Sequence, residues 1–401
     1  MSGKPLDQFA GQMESEAAQH VRQKHPSGWE PHVEEFGDTA TGITEPMDNP
    51  SPKEAELIKG WNLVPEEWRI VGKVNCRRWQ GYDGRWLYYY KADLVRIDPL
   101  VHKDVDALYK RIQNFKCTPK PGAVDGATFL LLIGDTQIGK GDGDGSIGTI
   151  DRWQHSLEGQ IARFKELSKK HRISSLATAF MGDLAESCVG NYPSQQFTTD
   201  LTMREQDGVL QELTHDTLSR LAPLVDDEYV LVVPGNHGEQ RKDGKAYTLP
   251  SDNRDIAVVE TVHRGIVLNK NHAFDHVRFV YPEGEQLTVC IDLSGMPTGF
   301  AHGHQFARGA GPAAKAESWW KDMSHNLVPI GDARLLFSGH YHHLLVTQNG
   351  RKTHVQIPAL DGGSQWWENI KGQVSPPGMV SCLVGEGVGP HGCGIDDLKV
   401  I

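Results

Sequence analysis

From Ala127 onward the chain repeats one pattern: an apolar run of strand length stops abruptly at Asp, Asn or His, and an amphipathic stretch follows. "ATFLLLIGD", "SLATAFMGD" and "EYVLVVPGNH" are the first three such runs, and helical periodicity fills about 151–170 and 201–222 between them. A helix near 252–265, strands at "LTVCIDLSG" and "GFAHGH", a helix near 313–324, "ARLLFSGHYHHLLV" and a strand-rich tail continue the series, with no internal repeat. Apolar strands alternating with amphipathic helices are the pattern of a layered α/β domain or of a β-sandwich flanked by helices. Strand ends in such frameworks display reactive groups on loops that are free to vary.

The 401 residues exceed one typical domain, so a large α/β domain with a smaller appendage is expected. Residues 1–50 carry many acids, Pro and Gly without a sustained apolar period and read as a flexible N-terminal arm. Residues 51–116 read as a small α+β accessory module. It would open with a helix capped by Ser51 with Pro52 at its first position, or a helical hairpin broken at Pro65, and continue as two strands around Asp83-Gly84. "KCTPKPGAVDG" is a linker to the main domain, 127–401.

No apolar stretch approaches the roughly 18 to 20 residues of a membrane span, and the N-terminus has no continuous apolar segment of a signal peptide. A cytoplasmic protein that meets no membrane is expected. The six cysteines are scattered without a CxxC, which suggests neither a disulfide framework nor a zinc ribbon. The net charge of -11 argues against a protein that coats nucleic acid, but Arg69 to Lys120 holds twelve Lys and Arg against five acids. Within it, Arg77, Arg78, Trp79, Arg85 and Trp86 are nucleic-acid-binding candidates, since cations interleaved with aromatics can track phosphates and stack bases. The same residues suit the core and surface of an ordinary β module.

Five strand ends carry metal-ligand types: Asp135 with Gln137, Asp183, Asn236 with His237, His302 with His304, and His340 with His342 and His343. Carboxylate, amide and imidazole donors together suit a divalent ion such as Mn, Fe, Zn or Ni, and this many donors suffice for two ions. Two cations roughly 3.5 to 4 Å apart can activate a water between them and clamp a phosphate during in-line attack. "GKGDGDGSIG" lacks the spacing of a nucleotide-binding P-loop, and an EF-hand reading of Asp142 and Asp144 lacks the glutamate at position twelve.

The ordered set "GDTQ", "GDLAE", "GNHGE", "HGH" and "GHYH" resembles the motif series of the calcineurin-like metallophosphoesterases, from about Ala127 to the end of the chain. The resemblance implies a four-layer α/β/β/α sandwich in which Asp183 bridges two metals. It implies that Asp135, Gln137 and His342 complete one site, and Asn236, His302 and His340 the other. His237 would stand beside the metals and donate a proton to the leaving oxygen or stabilise charge on the phosphate, so His237 and Asp183 are the catalytic candidates. The family usually has histidine where this chain has Gln137. A neutral amide oxygen is a weaker, harder donor, which shifts the expected pair of ions from Zn toward Mn or Mg.

His304 is the alternative ligand to His302, while His343 should face away from His342 by strand alternation. Glu186 and Glu239 could orient ligands or cap helices, and Arg241 could reach a phosphate or belong to an ordinary solvated loop. The expected reaction is hydrolysis of a phosphodiester, with DNA as substrate, as in SbcD-type nucleases and in branches often carried by phages. In that case the protein works in the host cytoplasm, and a homodimer, which many relatives form, is a further expectation. A phosphomonoesterase or cyclic-nucleotide phosphodiesterase is the alternative within the enzyme class, and a binding protein that lost its metals through Gln137 is the alternative outside it.

Overall fold

In a computed structural model of the chain the described residues are 25–36, 39–65, 67–80, 84–96, 105–242, 245–363, 369 and 374–401. The chain divides into two units, 1–99 and 100–401. In the smaller unit, β1 (His32–Phe36), β2 (Thr39–Ile43), β3 (Trp68–Gln80) and β4 (Trp86–Arg96) form an antiparallel sheet in the order β1-β2-β4-β3. Leu57 and Ile58 of α1 (Glu54–Gly60), with Trp61 just beyond it, pack on Ala40, Trp68, Tyr90, Ala92 and Leu94. A Cβ at Gly42 would lie 2.5 Å from the Trp61 ring, so the seat of that indole requires glycine in β2.

Two expectations change here. Residues 32–43 do not belong to a flexible arm, because β1 and β2 pair with each other, and β2 pairs with β4 through Thr41 opposite Asp93. Their sequence hides this because β1 is an edge strand that buries almost nothing, so it needs no apolar alternation. Helix α1 begins at Glu54, not at Pro52. The Ser51 N–H is taken by Asn49 Oδ1, and Glu56 accepts the Lys53 N–H at 3.2 Å. Residues 1–24 and 81–83 lie outside the described residues.

The larger unit has the mixed α/β architecture that the alternation of elements implies. One sheet has the order β10-β7-β6-β5-β16-β17, built from β5 (Ala127–Ile133), β6 (Ile173–Phe180), β7 (Glu228–Val232), β10 (Val277–Val280), β16 (Val380–Val384) and β17 (Ile395–Val400). The second has the order β11-β12-β13-β15-β14, from β11 (Thr288–Leu293), β12 (Met296–Ala301), β13 (Leu335–Ser338), β14 (Leu345–Asn349) and β15 (Lys352–Gln356). A small ribbon, β8 (Arg241–Lys242) with β9 (Lys245–Ala246), lies beyond the β7 loop. Strands β5, β6 and β7 are mutually parallel, as are β12 and β13, so the loops that leave them emerge side by side.

Alternate residues of β5 serve two cores. Phe129, Leu131 and Ile133 join the cluster that includes Leu108 and Ile112 of α2 (Val105–Asn114), Trp153 and Leu157 of α3 (Gly145–Leu167), Leu210 of α4 (Met203–Leu221) and Val259 of α5 (Arg254–Val267). Leu130 and Leu132 point the other way, into a cluster with Phe300 of β12, Phe337 of β13 and Val355 of β15. A third cluster joins Trp320 of α6 (Pro312–His325) and Ile330 of α7 (Pro329–Asp332) to Leu336. Each fully buried leucine contributes about 1.5 to 3 kcal/mol, which makes β5 the best-anchored strand and a rigid support for the loop at its end. Among the described residues no helix is long and apolar enough to cross a membrane.

The division between units also differs from the expected 116/127 linker. Leu108 and Ile112 are buried in the larger unit's core, Arg111 pairs with Glu212 of α4, and the Gly122 N–H is held by Asp226 at 2.8 Å. Prolines and glycines exclude regular elements from 117–126 without preventing that segment from docking.

Glu228, at the start of β7, is 0% exposed, and neither carboxylate oxygen has a hydrogen-bond partner. Burial pushes its pKa up from 4.5 to about 8. Between these values the unfolded chain releases a proton that the folded protein keeps, so this group's stabilisation is full below pH 4.5 and is lost as pH rises to about 8. Glu228→Gln has no such proton to lose. Urea denaturation should show the variant gaining on the native protein by several kcal/mol, on the order of 4, across that window. Parallel stability curves would refute the buried-acid assignment.

Candidate metal centre

Asp135 lies just after β5, Asp183 after β6, Asn236 and His237 after β7, His302 after β12 and His340 and His342 after β13. Many of the residues in these turns are held in the left-handed region: Asp135 at φ 49°, Gln137 at 42°, Asp183 at 50°, His340 at 70° and His342 at 58°. Left-handed backbone costs a non-glycine residue roughly 1 to 2 kcal/mol, and such strain concentrates where side-chain direction matters more than backbone comfort.

The arrangement starts from two buried carboxylates. Asp135 accepts the His340 N–H at 2.9 Å, and its Oδ1 lies 3.2 Å from His342 Nε2 and 4.0 Å from His302 Nε2. Asp183 takes the His237 N–H on Oδ1 at 2.7 Å, while Oδ2 lies 3.0 Å from His302 Nε2. The other ring nitrogen of His302 is 2.8 Å from the Met181 carbonyl oxygen, which can only accept, so Nδ1 carries a proton and Nε2 is the atom that faces both acids. An imidazole lone pair facing two carboxylates is repulsive, and such a cluster is balanced only by positive charge, as a proton or as a metal cation.

The electrostatics carry the same message. Burial alone would lower His302, but Asp183 and Asp135 push it up to about 10. Burial also opposes charge on His342, and Asp135 outweighs it. Asp183 would be raised by burial, yet His302 and His237 hold it well below the usual carboxylate range. Burial and the neighbouring His302 charge depress His340 to about 3, so its ring stays neutral with a lone pair to offer.

The donor set fits a divalent ion. Donor atoms of Asp183, His302 and His340 lie within 4.8 Å of one another. Asn236 Oδ1 is buried without a hydrogen-bond partner, a condition that an amide oxygen tolerates when a cation takes the place of a donor. Gln137 is buried, and its Nε2 is 3.5 Å from His237 Nε2. The amide therefore adjoins His237 as well as the loop of Asp135.

His237 is itself oriented. Its Nδ1 lies 3.0 Å from the Glu186 carbonyl and 3.1 Å from Glu186 Oε2, and Tyr192 donates to Glu186 Oε1 at 2.6 Å. Glu186 is thus committed to His237 and caps no helix. Burial would lower His237, but Asp183 and Glu186 bring it up to about 9. Glu239 accepts from Arg241 Nε at 2.7 Å and faces His304 Nε2 at 3.5 Å, so Arg241 is tied to the protein and not to a freely solvated loop. The His304 ring centroid is 5.5 Å from that of His302, beside the cluster, and His343 is fastened to the Tyr341 carbonyl at 2.7 Å.

Sequence reasoning passed over Asp255, Asn253, Tyr192, Asp361 and Lys140. Asp361 pairs with Lys140 and lies 3.9 Å from His342 Nδ1. Its position at the end of "VQIPALD", another apolar run stopped by an acid, was the available signal. Asp255 accepts the Asp183 N–H at 3.0 Å, the Leu184 N–H at 3.0 Å and the Gly235 N–H at 2.9 Å, and no spacing in the sequence announces that.

The nucleic-acid candidates of the smaller unit do not form one patch. Arg78 pairs with Tyr88 and Gln80 with Trp86, which puts Arg78 and Trp86 on one face of the sheet, and the Arg78 guanidinium covers the Trp86 ring at 4.4 Å. By alternation Arg77 and Trp79 occupy the opposite face, and Arg85 precedes β4.

No family model and no curated protein matches this sequence. Among solved structures the chain is similar to Vacuolar Protein Sorting 29 from Cryptosporidium parvum, at 15% identity and TM-score 0.28, over 65% of this chain and 86% of that one. It is also similar to a predicted phosphoesterase from Streptococcus pneumoniae, at 13% identity and TM-score 0.24, over 44% of this chain and 78% of that one. A third is an archaeal phosphodiesterase, at 8% identity and TM-score 0.28, over 68% of this chain and 99% of that one. Likenesses this remote carry no weight for function, which rests on the chain's own residues.

Proposed function

We propose that this protein is a calcineurin-like metallophosphoesterase that hydrolyses phosphodiester bonds with two divalent ions, and that DNA is its substrate. The observation that carries the reading is the convergence of Asp135, Asp183, His302, His340 and His342 from separate strand ends into one charge-demanding cluster, with the Asn236 amide oxygen unpartnered. Asp183, Asp135, Gln137 and His342 would hold one ion, and Asp183, Asn236, His302 and His340 the other. Manganese suits this mixture of oxygen and nitrogen donors. When bound, the ions supply Lewis acidity to the phosphate oxygens and to the attacking water.

The chain's own residues do the rest. Asp183 offers one oxygen toward His302 while the other is fixed by the His237 N–H. His237 is held at Nδ1 by Glu186, so Nε2 is the atom left to deliver a proton to the departing alkoxide. The substrate's bridging P–O bond breaks as the water oxygen joins phosphorus, the His237 proton ends on the leaving hydroxyl, and the proton that the water gives up passes to solvent, from which His237 is reprotonated. DNA as substrate is supported by the cation excess of Arg69 to Lys120, twelve Lys and Arg against five acids in an otherwise acidic chain.

Linear single- and double-stranded DNA, a simple phosphodiester and a simple phosphomonoester should be compared with manganese added. Asp183→Ala is expected to abolish turnover and release metal. His237→Ala should slow turnover by about 10² to 10⁴ with metal retained. Wild-type activity in both variants would remove the site assignment, and turnover of the monoester alone would replace the nuclease reading with a phosphatase. Gln137→His is expected to tighten zinc by about tenfold relative to manganese, since imidazole is the softer donor. Equal binding of both metals before and after substitution would take Gln137 out of the ligand set.

A further inference from the structure

The turns that carry Asp183 and Asn236-His237 leave different strands, β6 and β7, and a dinuclear centre needs their side chains at a fixed separation. Adjacent parallel strands set that separation only to the last ladder pair, here Phe180 with Val232. Beyond it the turns are held by hydrogen bonds outside the ladder, among them the His237 N–H on Asp183 Oδ1 and the Ser187 hydroxyl on the His237 carbonyl. The buried carboxylate of Asp255, in the first turn of α5, spans the gap. Its Oδ2 takes the Asp183 N–H at 3.0 Å and the Gly235 N–H at 2.9 Å, and its Oδ1 takes the Leu184 N–H at 3.0 Å. Asn253 completes the seat: its Nδ2 donates to the Gly235 carbonyl at 2.9 Å, and its Oδ1 accepts the Asp255 N–H at 2.9 Å.

The two turns are also pressed together sterically. A Cβ at Gly235 would lie 2.2 Å from both the backbone nitrogen and Oδ1 of Asp183, so nothing but glycine lets the second turn approach the first this closely. Three N–H groups pointing at one carboxylate need an ionised acceptor with lone pairs on both oxygens. An amide of the same shape supplies one accepting oxygen and turns an NH₂ donor toward the remaining N–H.

We propose that Asp255 is a positioning residue that sets the spacing between the Asp183 carboxylate and the Asn236-His237 turn, and thereby the affinity of the centre for its ions. This rests on the metallophosphoesterase reading above. The Asp255 carboxylate is bonded to backbone N–H groups of the two turns and would act through them alone.

The test is calorimetric titration of the metal-free full chain with manganese, first for the native protein and then for Asp255→Asn. Asp207→Asn serves as control, because Asp207 binds Arg254 beside Asp255 but reaches neither turn. Manganese affinity is expected to fall about 10- to 100-fold in Asp255→Asn and to hold in the control, because the Asp207 carboxylate is bonded to the Arg254 side chain and to neither turn. At saturating manganese, kcat for bis(4-nitrophenyl) phosphate should fall while KM holds, because a displaced His237 weakens the transition state and not binding of the ground state. If Asp255→Asn gives no cooperative thermal transition, Asn253→Ala carries the same decision, since it removes the bonds to the Gly235 carbonyl and from the Asp255 N–H while leaving the Asp255 carboxylate in place. Native affinity in a folded variant, or an equal loss in the Asp207 control, overturns the proposal. Failure of the native protein to bind manganese is read before any variant is made, and it would overturn the metallophosphoesterase reading and this proposal together.

Discussion

A carboxylate that is 1% exposed keeps its charge only if its surroundings supply donors and positive charge, and the site is organised around meeting that demand for Asp183. His302 faces one oxygen and the His237 backbone N–H fixes the other, while the carbonyl of Met181 determines which nitrogen of His302 looks inward. Asp135 adds a second negative charge close by, and His342 answers it at 3.2 Å. The result is a buried space whose charge balance is met as well by divalent cations as by protons, and the donors present are those a divalent cation prefers.

The fold sustains this cluster in two ways. Strand β5, buried throughout and apolar but for Thr128, anchors the turn of Asp135 to two cores at once. The parallel pairing of β5 with β6 and β7, and of β12 with β13, brings polar loops from two sheets to common ends, so no single loop has to carry the whole donor set. Strained turns at Asp135, Asp183, His340 and His342 persist because the strands behind them do not yield. The same rigidity explains why an orphaned acid such as Glu228 can survive at the far end of β7, where the core around it outweighs its cost.

Further polar groups hold the donors in place. Glu186 commits His237 to one ring orientation, Asp361 and Lys140 stand behind His342, and Asp255 ties together the backbones of two loops. These residues carry no chemistry of their own in the proposed reaction. Their work is to keep atoms from different strands within a few tenths of an ångström of where two ions and a phosphate would need them.

The alternation of strands and helices from Ala127 onward, and the Asp, Asn or His that follows many of the apolar runs, could be read from the chain before any fold was known. Those features are local: an apolar run reports burial, and an Asp or His at its end reports a side chain at a loop. The sequence did not reveal β1 and β2, because an edge strand needs no apolar face, and it assigned 105–116 to the smaller module and 117–126 to a linker, although Leu108, Ile112 and Gly122 are docked on the larger unit. Tertiary structure alone decided that Arg77 and Arg78 lie on opposite faces, that Gln137 adjoins His237, and that Asp255 reaches the turns of Asp183 and Gly235. Each is a relation between residues on different elements, fixed by strand pairing and helix docking, and no spacing along a single chain encodes which distant backbone N–H a carboxylate will find.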